Sequence, residues 1–402
     1  MQANLRRKFS PTEILVVLLV SGQFALYGFM WFQLLGDSSL KTMDFISFYG
    51  TGRLIRAGEY GRIYDIEAEA LVQQQVAGPG YDQPLIFNHP PHITPLLALI
   101  AGDDYTRAYI YWTGAGLLAA LACAVLVYRF LLTSKWEPRL ALFGAVGSMT
   151  FLPIFISLLI GQDTIYSLLG LLVWMFALLK QDDAFAGLGL ALATLSPTIA
   201  GALALPLFVS RRRAGLWFIV GVLVLGVYGF ALVGFQGAMD FLHLLRLSSQ
   251  GTYYGLNWNS MYNLLGFLLR AFPNWSTDSV RAVSWVAAVG SIFILCILWW
   301  NQREKVSLRL IGGAVVLGVF TAPHLHLHGL SYLLLPLVGM AATLHARGNK
   351  TLALLLIPAV SSVLILFLFL LPAWNTTAYY LLMFALLSGF VALTPKESRS
   401  AL

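Results

Sequence analysis

Charge is what this chain has least of. Only 11% of its 402 residues are Asp, Glu, Lys or Arg, while 58% are hydrophobic and 13% aromatic. Soluble globular domains carry about a quarter charged residues, so a freely soluble fold is excluded. Cysteine is almost missing. Cys123 and Cys296 both fall inside apolar runs and read as small packed residues, which leaves neither a disulfide framework nor a thiolate metal site. Acids are fewer than bases, 18 against 25, for a net charge of +7. The basic residues are scattered between apolar runs and not gathered on one soluble face, so no nucleic-acid partner is expected. There is no internal repeat, no low-complexity tract and no HExxH metal motif.

What is present is a series of long apolar runs. About 20 residues at 1.5 Å each cross the hydrocarbon core. The runs fall at about 12–35, 104–132, 140–160, 163–180, 214–235, 279–300, 307–323, 328–345, 351–371 and 377–394. The expectation is an all-α polytopic membrane protein, one integral domain over 1–402, with about 10–12 transmembrane helices. The first run follows Arg6-Arg7-Lys8, is too long for a signal-peptide core and lacks a small-residue cleavage pattern, so it reads as a signal anchor. The segment 184–209 is broken by Thr194-Leu195-Ser196-Pro197-Thr198. Proline removes a backbone donor, and this stretch is expected to be a short hairpin with its tip toward the outer face.

With that hairpin the loops sort by charge. Arg6, Arg7, Lys8, Arg129, Lys135, Arg139, Lys180, Arg211, Arg212, Arg213, Arg303, Lys305, Arg309, Arg347, Lys350, Lys396 and Arg399 share one side, 17 of the 25 basic residues. The positive-inside rule makes that side cytoplasmic, with both termini inside. Two long outer segments remain, 36–103 and 236–278. In the first, Phe45, Phe48, Tyr49, Gly52 and Ile55 recur at helical spacing with Arg53 and Arg56 off that face, the pattern of an interfacial helix among membrane lipids. The run 93–101 is too short to span.

Polar groups at the outer rim are the candidates for chemistry. Asp44 is either an ordinary solvated carboxylate or a general base whose pKa is raised by partial desolvation. His89, His92 and the run His324, His326, His328 are aromatic-belt residues, hydrogen-bond donors to a phosphate or sugar, or metal ligands. A zinc site needs three or four converging ligands, and the run faces one way only if extended. Gly161-Gln162-Asp163 is an outer turn whose side chains can face a cavity. Arg53, Arg56 and Arg62 are lipid-headgroup contacts or phosphate ligands.

Several ordered segments then carry a resemblance. Asp44-Phe45-Ile46-Ser47-Phe48-Tyr49-Gly50-Thr51-Gly52, with Ala57-Gly58 and Ile63-Tyr64-Asp65, resembles the first outer loop of the family-87 glycosyltransferases. These are polytopic enzymes of the GT-C superfamily that use polyprenyl-phosphate sugars. Phe87-Asn88-His89-Pro90-Pro91, Gly161-Gln162, Gly187-Leu188-Gly189-Leu190-Ala191, the stretch from Asn257 to Leu265, and Ala322-Pro323-His324 with His326 resemble later blocks of the family, in order. The resemblance implies a GT-C-like fold in a bacterial plasma membrane with an outward-facing active site. It implies a polyprenyl-phosphate-mannose donor, a lipid or glycan acceptor and an inverting displacement with Asp44 as catalytic base; no paired acids stand beside Asp44, so no metal-assisted mechanism and no cofactor are expected. His89, Arg62, Gln162, Asp163, Asn257, Asn259, His324 and His326 are the substrate-binding candidates, with His324, His326, Arg62 or an arginine nearby at the leaving phosphate. One block departs from the pattern. Ser196-Pro197 stands where many relatives carry Lys-Pro, which leaves open a changed donor, a changed phosphate ligand or weak activity. A transporter or flippase would instead show inverted repeats, and only one broken segment is found. A non-catalytic metal-binding membrane protein would bind zinc through the outer histidines.

Overall fold

Apolar runs that cannot satisfy backbone groups in lipid close them internally, as helices. The computed structural model describes residues 9–251, 258–304 and 306–393, and it is helical throughout, with no strand among the described residues. Arg6, Arg7, Lys8, Asn257, Lys305, Lys396 and Arg399, named above, lie outside them.

Helix α1 (Pro11–Leu35) opens on a capping box between Ser10 and Glu13. A cap of short helices follows: α2 (Phe45–Arg56), α3 (Ile66–Ala77) and α4 (Thr94–Ile100). The long α5 (Tyr105–Thr133) leads to α6 (Pro138–Ser148), α7 (Leu152–Leu159) and α8 (Thr164–Leu179). Then come α9 (Asp183–Leu192), α10 (Pro197–Ser210), α11 (Arg212–Gln250), α12 (Leu264–Ala271), α13 (Thr277–Asn301), α14 (Leu308–Thr321), α15 (Leu334–Ala346), α16 (Lys350–Leu370) and α17 (Asn375–Leu393). Among the described residues six helices are long and apolar enough to cross a bilayer, or seven if the bent pair α6–α7 is one span, so the chain is a polytopic membrane protein. The 10–12 spans read from the sequence also counted shorter apolar helices, among them α8, the α9 and α10 pieces, and α14.

The broken segment is a hairpin. Cβ atoms built on Gly187 and Gly221 would meet Trp217 and Ala191, so α9 and α11 run parallel and α10 must return between them. Arg211 pairs with Asp183 at 2.6 Å, tying the two ends together. The Gly-Leu block on α9 is therefore a packing surface, since a Cβ on Gly187 would lie 2.4 Å from the Ala214 carbonyl oxygen. At the same end, Glu13 meets Arg139 and Glu137 meets Lys350, which gathers the helix ends read above as the basic side.

The structure adds detail to three of these readings. The run 140–160 is not one straight helix. It bends by 50° between α6 and α7, where Pro153 interrupts the ladder and the Thr150 carbonyl instead accepts from Tyr27 and Ser361. The run 214–235 ends at a break at Gly234 (φ 69°), and a second helical stretch runs on to Gln250, with Phe241 and Leu244 packed against the cap. Helix α2 is buried on nearly every side, packed within the 36–103 cap beneath Phe87, Leu97 and Tyr105, more completely than a one-faced interfacial helix requires.

Candidate active site

The site is assembled by one turn. Between α7 and α8, Gly161 adopts φ 76°, and a Cβ there would lie 2.6 Å from Phe45 Cβ, so the turn demands glycine twice over. Its carbonyl accepts from Trp112 Nε1 at 2.8 Å, and the preceding Ile160 carbonyl accepts from the Phe45 amide at 3.0 Å. The start of α2 is thereby fastened to the end of α7. The next two side chains use that register. Gln162 Nε2 donates to Asp44 Oδ2 at 2.7 Å, and Asp163 Oδ2 lies 3.0 Å from His89 Nδ1.

Asp44 precedes α2 and its side chain makes no capping bond, leaving the carboxylate directed to other partners. Burial pushes its pKa above the ordinary carboxylate range, while the Gln162 hydrogen bond and the nearby His89 pull it back. Burial thus favours the protonated carboxyl, and the Gln162 donor opposes it. No donor among the described residues is paired with Oδ1.

The His89 ring packs against Phe48 and Phe87, with centroids 4.7 and 5.4 Å away, and its carbonyl accepts from Tyr64 at 2.9 Å. The extended segment leading to it is held by α3. Glu69 accepts from the Phe87 amide at 3.0 Å and from Thr51 at 2.7 Å. Gln73 both accepts from and donates to the Leu85 backbone. Two side chains one turn apart thus replace a partner strand. Glu69 is fully enclosed, and burial pushes its pKa up to about 8.

The opposite wall is the segment between α14 and α15. His324 and His326 have ring centroids 4.7 Å apart, and His326 and His328 are 6.2 Å apart. Desolvation pushes His324 down to about 3 and His326 down to about 4, so both rings are neutral hydrogen-bonding groups at physiological pH. His328 Nδ1 shares a 2.7 Å hydrogen bond with Thr164. At the hairpin tip, Ser196 is hydrogen-bonded to Tyr332. Among the described residues, no group of three or more His, Cys, Asp or Glu is disposed to hold a metal ion.

These walls enclose a cavity of about 850 Å³. Of the sequence candidates, Asp44, His89, Gln162, Asp163, His324 and His326 line it together. Arg62 does not. It lies on an exposed turn, paired with Glu59 at 2.6 Å and Asp65 at 3.2 Å, which corrects its assignment to the leaving phosphate. Arg53 is likewise away from the cavity, on Asp103 at 2.6 Å. Asn257 lies outside the described residues, as does the Asn259 side chain; the neighbouring Trp258 and Ser260 line the cavity. Sequence reasoning missed Arg270 and Arg281, which with Tyr332, Ser196 and His328 also face this space. Both arginines stood among the outer basic residues, but their spacing carried no sign of a shared cavity.

A sequence model of glycosyltransferase family 87 matches residues 87–323, more than half of the chain. The matched stretch begins after Asp44 and stops just before His324. No curated protein and no solved structure matches the chain.

Proposed function

The chain belongs to glycosyltransferase family 87 and is an integral membrane glycosyltransferase, and from that premise we propose that Asp44 is the general base of an inverting transfer from a polyprenyl-phosphate sugar, mannose, at the outer face. The acceptor is the hydroxyl of a lipid or glycan. The observation that carries this reading is the Asp44 carboxylate on the cavity wall, held by Gln162 through one oxygen only.

The step balances as follows. The acceptor oxygen attacks the anomeric carbon and its proton passes to Asp44. The bond from that carbon to the phosphate oxygen breaks on the opposite face, and its electron pair leaves with the polyprenyl phosphate. The products are the inverted glycoside, the lipid phosphate and protonated Asp44, which returns its proton to water. His89 is held by Asp163 at 3.0 Å, a fixed ring suited to a sugar hydroxyl. His324 and His326 are neutral and would orient the donor by hydrogen bonds. The buried His326 Nε2 has no partner among the described residues. The outer-face assignment is supported by the basic side chains gathered at the opposite end of the bundle. The test is incubation of the purified protein with labelled polyprenyl-phosphate sugars and a membrane lipid extract. A glycosylated product of inverted configuration supports the reading; failure of every such donor contradicts it.

A further inference from the structure

A lipid phosphate leaving group needs a positive partner and a place for its chain, and α13 offers both on one stripe. Arg281, Ser284, Trp285 and Ala288 face the cavity. Trp285 and Ala288, followed by Val289 and Ile292, also line a second, apolar groove of about 400 Å³. Its other walls come from α10 and α14, including Gly201, Leu205 and Phe208. Leu205, Trp285 and Val289 are exposed, so the groove opens on the outside of the bundle, where lipid lies. The two spaces are continuous, since Pro197, Thr198, Thr321 and Pro323 border both.

Charge is concentrated at the upper end of this stripe. Arg270 and Arg281 are the only lysines or arginines among the described residues lining the cavity. Arg270 is anchored, donating to the Met261 carbonyl at 2.8 Å and to Tyr380. Arg281 lies over the Trp258 ring, 4.9 Å from its centroid. Its acidic neighbour Asp278 is almost fully solvated and 3.7 Å away, beyond hydrogen-bonding distance, so it leaves the guanidinium fork largely available. We infer that Arg281, with Arg270, binds the phosphate of a polyprenyl monophosphate whose chain runs along α13 into the groove beside α10. The arginines thus supply the positive charge that neutral histidines and Ser196 do not. This rests on the polyprenyl-phosphate donor reading, and it assigns that donor's phosphate and the direction of its chain.

The experiment is equilibrium binding to the purified full-length protein. The probes are a long-chain polyprenyl monophosphate, the matching polyprenol, a short-chain prenyl monophosphate and inorganic phosphate. Wild type is expected to prefer the long monophosphate over the alcohol. Arg281→Gln is expected to lose about tenfold to a hundredfold for both prenyl phosphates and nothing for the alcohol. Arg281→Lys is expected to recover part of that loss, because an ammonium keeps the charge without the fork. A Cβ on Gly201 meets nothing within 4 Å, so the side chain of Gly201→Leu starts in open groove space. It is expected to weaken the long chain while sparing the short one. Equal affinities of wild type and both Arg281 variants for the phosphates, loss of phosphate and alcohol alike in both, tighter binding of inorganic phosphate than of the prenyl phosphates, or an unaffected long chain in Gly201→Leu would each overturn the assignment. The catalytic reading is judged apart from it by Asp44→Asn. Arg281-dependent binding in a protein whose transfer survives Asp44→Asn supports this site and refutes the base.

Discussion

At the residue scale, Asp44 and Gln162 form a pair whose pH behaviour is set by opposing effects. Burial raises the Asp44 pKa and the Gln162 hydrogen bond lowers it. Replacing Gln162 by Leu removes the lowering effect, so Asp44 protonates at higher pH and the acid limb of kcat/KM shifts upward. A limb that stays where it is in wild type would mean that Asp44 is not the titrating base. Arg62 gives the complementary prediction. Its partners are Glu59 and Asp65 on an exposed turn, so Arg62→Ala leaves the donor KM unchanged. A large rise in KM would return it to the site. The contrast shows what a sequence discloses about single residues. Scarcity and side made Asp44 conspicuous. A cation on the same side is equally conspicuous, but its partner is a neighbour three residues away that only the turn geometry reveals.

At the scale of elements, the α7–α8 turn and α3 carry the site. Gly161→Ala combines a positive φ with a Cβ 2.6 Å from Phe45. It should cost about 2 kcal/mol or more and displace Gln162 and Asp163, lowering both the unfolding temperature and transfer. Unchanged unfolding would show that the turn is not under this constraint. Glu69 on α3 has a folded pKa of about 8 against an ordinary value of 4.5. The raised value means that the folded state holds its proton more tightly, so the stability it contributes is complete below about pH 4.5 and is lost as pH rises through about 8. Thermal unfolding across that window should flatten in Glu69→Gln, and an unaltered pH slope would assign the dependence elsewhere. The sequence indicated the helices well, because their apolar runs and caps are local. It hid the bend at Thr150 and the helical stretch beyond Gly234. The first depends on Tyr27 and Ser361 far along the chain. The second follows a single glycine, Gly234, whose backbone separates two helical stretches.

At the scale of the molecule, the cavity joins six of the sequence candidates from segments more than 280 residues apart. Their order along the chain was legible, as was the hairpin that brings Ser196 to the same space. The two arginines of α12 and α13 were not, because convergence is a property of packing. The chain is a membrane glycosyltransferase, and the account of how it works turns on one carboxylate. The most direct measurement is transfer from a labelled polyprenyl-phosphate sugar by purified Asp44→Asn beside wild type, with unfolding temperature and donor affinity recorded for both. The account predicts unchanged folding and binding with a loss of about a hundredfold to ten-thousandfold in transfer. Transfer at the wild-type rate in a folded Asp44→Asn protein would contradict it.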